Sequence, residues 1–114
     1  MKLALFLLGL VERVVTPPER RRDKEIMVKA LEMLIHGTNL QCAIYLNSEK
    51  PTHAFYAENP EFALVAGIAF ADSGYINLGE SLILLGFKYG KFSASEIDRA
   101  RKSLQEINRS RGGI

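Results

Sequence analysis

A chain of 114 residues, 47% apolar and 25% charged with a formal net charge of +2, can fill one hydrophobic core and is too apolar for wholesale disorder. Its lone cysteine, Cys42, excludes an internal disulfide and fits a reducing compartment. The charge is uneven: residues 37–90 set two lysines against five acids, whereas residues 91–114 set six bases against three acids.

The opening stretch Met1–Leu10 has the apolar character of a short signal peptide. Glu12 and Arg13 interrupt it, no small-x-small cleavage site follows, and it is too short to span a bilayer. Leu3, Phe6, Leu7, Leu10 and Val14 fall on one helical face, which predicts an amphipathic helix packed on the core. A cytoplasmic protein without a membrane partner is therefore expected.

Thr16-Pro17-Pro18-Glu19 forms a capping-box sequence with proline at the first helical position. The helix it opens is predicted to reach Ile35 or His36, with Met27, Ala30, Leu31 and Leu34 inward and Gly37 as a left-handed stop. Residues 38–58 allow two readings. Thr38-Asn39-Leu40-Gln41 can cap a short helix, while Leu40–Leu46 and Thr52–Ala57 can pair as a β-hairpin; sparse β-branching favours the helix.

Asn59-Pro60-Glu61 predicts a helix capped by Asn59 and ended by Asp72-Ser73-Gly74. Its small residues let another backbone approach closely. Ala63, Ala66, Gly67 and Phe70 then form either a subunit interface or a tight contact inside this domain. Asn77-Leu78-Gly79-Glu80 resembles a further capping box, with Leu78, Leu82 and Leu85 as the apolar stripe and Gly90 as the stop. Ser93 and Glu96 make the last capping box, with Phe92 and Ile97 as its hydrophobic staple and Ile97, Ala100, Leu104 and Ile107 facing inward. The expectation is a single all-α domain over 1–114, a bundle of five or six helices, with a small hairpin within 38–58 as the alternative.

Arg20, Arg21 and Arg22 lie in the first turns of a helix, where the backbone already carries partial positive charge. Guanidinium groups there suit an incoming anion such as phosphate, or pairing with Glu19, Asp23 and Glu25. Arg99, Arg101, Lys102, Arg109 and Arg111 form a second basic group, which a carbonyl end or an Asp98–Lys102 pair also accounts for. Should the two groups converge, they would make a groove for a nucleic-acid backbone. The spacing of His36, Cys42 and His53 fits no zinc pattern, and Cys42 has no base beside it in sequence. No catalytic, metal or cofactor site is expected.

Three resemblances bear on this reading. Gly74-Tyr75-Ile76-Asn77-Leu78-Gly79-Glu80 resembles the second half of an EF-hand, with Gly74, Ile76 and Glu80 in order but only Asp72 among the early acids. Tyr75-x-x-Leu78-Gly79 with Leu82, Gly86 and Ala100-x-x-x-Leu104 resembles one tetratricopeptide helix pair, without a second copy at the expected period. The size, helical make-up, small-residue helix and basic ends resemble the small subunits of CRISPR effector complexes. That resemblance implies a non-catalytic protein lining a nucleic-acid path beside neighbouring copies, and it carries over no residue. Protein partners within a complex, nucleic acid and a second copy of the chain are thus the expected partners. The rival expectation is a peptide- or protein-binding module whose groove lies between helices 60–71 and 78–89.

Overall fold

Six helices follow one another in the computed structural model, which describes residues 20–112, with backbone alone for 103, 104, 107, 108 and 110–112. They are α1 (Arg21–His36), α2 (Asn39–Glu49), α3 (His53–Glu58), α4 (Pro60–Asp72), α5 (Ile76–Tyr89) and α6 (Ala94–Gly112). The all-α bundle is as expected, and residues 38–58 are two helices with no strand among the described residues. The Thr16–Glu19 capping box and the Leu3–Val14 apolar face lie outside the described residues.

Local chemistry sets the boundaries. Thr38 Oγ accepts from the Gln41 N–H at 3.1 Å while Gln41 Oε1 accepts from the Thr38 N–H at 3.1 Å, so α2 begins with a reciprocal capping box. Gly37 ends α1 with a negative φ of −128°, not the left-handed conformation expected. Gly37 also leaves room for the Gln41 amide, which occupies the place a side chain there would need. Pro60 opens α4 as expected, but Asn59 does not cap it; its Nδ2 donates to the Phe55 carbonyl at 3.0 Å and closes α3 instead. Asn77 likewise lies inside α5, which starts at Ile76 without a side-chain cap. The Ser93–Glu96 box forms as predicted, with the Glu96 N–H donating to Ser93 Oγ at 3.2 Å. Phe92 meets the edge of Phe87 at 6.2 Å and joins a small cluster around Leu64, Ile83 and Ala100.

The first four helices share one core. Ile26, Met27, Ala30 and Leu31 of α1 pack with Cys42, Ala43 and Leu46 of α2 and with Phe62, Ala66 and Phe70 of α4. Phe62 stacks on Tyr56 at 5.5 Å and meets the edge of Phe55 at 6.3 Å, which fixes the six-residue α3 against α4.

α4 and α5 form an antiparallel pair with glycine on both sides. A methyl group on Gly67 would lie 2.7 Å from the Gly79 carbonyl oxygen and 2.9 Å from the Ile83 nitrogen. One on Gly86 would lie 2.9 Å from the Pro60 oxygen. The two backbones therefore approach closely along about two turns, because these positions carry no side chain.

One buried charge ties the start of α1 to the start of α3. Asp23, 4% exposed, accepts from Thr52 Oγ at 2.8 Å and from the Thr52 N–H at 3.4 Å, and Thr52 Oγ in turn accepts from the Phe55 N–H. A buried carboxylate must keep such partners to offset its lost hydration. Asp23→Ala leaves Thr52 without its acceptor and should cost about 1–3 kcal/mol in urea unfolding; an unchanged midpoint would show that the contact adds nothing.

Candidate functional site

Two of the three adjacent arginines are occupied within the chain. Arg20 donates to both carboxylate oxygens of Glu58, from Nη2 at 2.9 Å and Nε at 3.2 Å. Arg22 Nη2 donates to the Glu49 backbone carbonyl at 2.7 Å and lies 3.4 Å from its carboxylate. Glu49 and Glu58 are the last residues of α2 and α3. Guanidinium groups that look misplaced at the positive end of α1 thus sit at the carbonyl ends of two other helices, where cations are stabilising. Arg22 Nη1 also lies 3.9 Å from Asp23 Oδ1, so of the two expectations Arg20 and Arg22 follow the one of carboxylate pairing within the chain. Arg21 is exposed and pairs with no described residue, so the local Arg21–Glu25 pair does not form.

The second basic group lies on α6, which packs against α4 and α5. Arg99, Lys102 and Arg109 are exposed there, and Lys102 Nζ makes the expected pair with Asp98 at 3.1 Å. Arg101 lies over the Phe87 ring at 5.9 Å. The Arg111 side chain lies outside those described. Arg20 and Arg22 engage the ends of α3 and α2, whereas the second basic group lies on α6, packed against α4 and α5.

The small-residue face of α4 is used internally as well. Ala63, Ala66, Gly67 and Phe70 are all buried by this chain's own helices, so they are not open to a partner. The glycine contact brings the α4 and α5 backbones together, while Phe70 of α4 and Leu78 and Leu82 of α5 line one side of a cleft that α2 and α3 complete.

An apolar surface that the sequence reasoning missed lies on α2. Leu40 and Ile44 stand one turn apart and are 52% and 54% exposed. Beside them an open groove of about 500 Å³ is lined by Met33 of α1 and by Gln41, Ile44, Tyr45 and Ser48 of α2. The i,i+4 spacing of Leu40 and Ile44 was its available signal, and it was obscured because α2 carries apolar residues on its opposite face too: Cys42, Ala43 and Leu46.

The candidate reactive groups stay apart in burial. Cys42 is buried, and desolvation pushes its thiol up to about 12, which keeps it protonated at neutral pH. His36 and His53 are exposed at the end of α1 and the start of α3. Asp72 Oδ2, in the EF-hand-like stretch, accepts from Asn39 Nδ2 at 2.8 Å. No helix among the described residues is long and apolar enough to cross a membrane. Compared with protein-family models, curated proteins and solved structures, the chain matches none, and the geometry alone carries the functional argument.

The Arg20 hydrogen bonds hold the Glu58 carboxyl below its ordinary pKa. A depressed folded value means that the pair's stabilisation is present above the unfolded pKa and is lost as the pH falls through the folded one. Side-chain NMR titration should give Glu58 a pKa below that of a free glutamate, and Arg20→Gln should move it upward. An identical value in the two proteins would contradict the pairing.

Proposed function

We propose that the chain is a non-catalytic helical subunit of a larger assembly that meets a protein partner through the outward face of α2. The observation carrying this reading is the pair Leu40 and Ile44, two large aliphatic side chains each more than half exposed beside an apolar groove. Single exposed leucines are ordinary, but a cluster of apolar side chains next to a concavity favours association. The shape suits an amphipathic helix of the partner, whose own apolar residues one turn apart would fill the space between Met33 and Tyr45. The protonated, buried Cys42 thiol supports the non-catalytic part of the reading.

A second reading keeps contact with a nucleic-acid backbone, and the exposed bases of α6 favour it. Arg99, Arg101, Lys102 and Arg109 lie within three turns of one helix, and phosphate binding by such a row would be salt-sensitive and sequence-tolerant. Arg20 and Arg22 drop out of it, since carboxylates already hold them.

Tagged wild-type protein purified from its native cells should bring down a partner that Ile44→Glu loses by about tenfold or more, as expected for a residue at the centre of an interface. Leu84→Glu, which changes an equally exposed leucine on α5, should retain it, and all three proteins should share one melting temperature. Equal recovery by the three would remove α2 from the proposal. Retention on single-stranded DNA across a salt gradient tests the second reading: a triple variant Arg101→Gln, Lys102→Gln, Arg109→Gln should elute earlier, and unchanged elution would eliminate α6.

A further inference from the structure

A second concavity lies on the other side of α2, where its last turn, the α2–α3 connection, α3, α4 and α5 surround a cleft of about 260 Å³. Its walls are the apolar, buried side chains of Leu46, Tyr56, Phe70 and Leu82. Leu78, 42% exposed, also lines it. Polar character comes from Asn47 and Lys50, and no acid is among the described residues that line the cleft.

The charge beside this cleft has no counter-ion among the described residues. Lys50 ends α2 with a φ of 51°, in the left-handed region, and Pro51 follows it. No ion pair or side-chain hydrogen bond joins Lys50 to any described residue. Its neighbour Glu49 is held by Arg22. Desolvation raises the pKa of the Tyr56 phenol, so that wall is neutral at physiological pH. A largely apolar cleft whose described lining holds a cation and no acid suits a ligand of the opposite pattern. Its volume, near the lower end for small-molecule pockets, limits that ligand to a short chain or a single ring.

We propose that this cleft binds a small amphiphilic monocarboxylate, with the hydrocarbon part against Leu46, Phe70 and Leu82 and the carboxylate at Lys50 and Asn47. The site is separate from the α2 groove and does not depend on it.

Octanoate is the probe, followed through the methyl NMR signals of Leu46, Leu78 and Leu82 in the full chain. These signals should shift and saturate with octanoate. Octylammonium, with the same hydrocarbon and the opposite charge, should not saturate them over the same range. Lys50→Gln should weaken octanoate about fivefold without changing the melting temperature, whereas Ile44→Glu should leave the octanoate affinity unchanged. Absence of saturation, equal binding of octylammonium, or an unaltered affinity in Lys50→Gln would each overturn the proposal.

Discussion

α4 is buried on nearly every side, and one of those sides is another backbone. Gly67 on α4 and Gly79 and Gly86 on α5 let the two helices approach until a methyl group at any of the three would meet backbone atoms of the other helix. Each glycine inside a helix costs about 1 kcal/mol relative to alanine. The cost is offset by close dispersion contact over the length of the pair. Once α5 is drawn in this far, Leu82 reaches the main core while Ile83 joins the second cluster with Leu64 and Ala100. The position of α6, and of its basic face, therefore follows from the α4–α5 contact.

A second constraint acts at helix ends. The start of α1 lies beside the final residues of α2 and α3, and the charges there are arranged for those neighbours. Arg22 meets the Glu49 carbonyl, Arg20 meets Glu58, and Asp23 accepts from the Thr52 cap. A row of charges that is unfavourable on its own helix is favourable once the other two helices are in place. Arg20 and Arg22 are engaged within the fold, and among the described residues exposed surface lies on the apolar face of α2, beside the cleft lined by Lys50 and on the outer face of α6.

Much of the framework was legible because it is written in local codes. The Thr38–Gln41 and Ser93–Glu96 boxes, Pro60 at the start of α4 and Gly74 with a φ of 101° all mark element ends through contacts within a few residues. Asn59 and Asn77 misled for the same reason. A side chain suited to capping can serve the preceding helix, as Asn59 does, or lie one residue inside the next, as Asn77 does. The candidate site was far less legible. The partners of Arg20 and Arg22 are 38 and 27 residues away in sequence, and no spacing rule connects them. The small residues of α4 were read correctly as permitting close approach, but only the fold shows that α5 makes that approach.

The proposed role depends on a rigid hairpin at the centre that leaves α2 and α6 to face outward, and that rigidity depends on the glycine contact. Thermal unfolding of Gly79→Ala tests this most directly, because a methyl group there would lie 2.7 Å from the Ala71 nitrogen and 2.9 Å from its Cβ. The two helices would have to separate, at about 1–3 kcal/mol, so the melting temperature should fall by roughly 5–15 °C. Helix propensity alone favours alanine, and an equal or higher melting temperature would contradict the account.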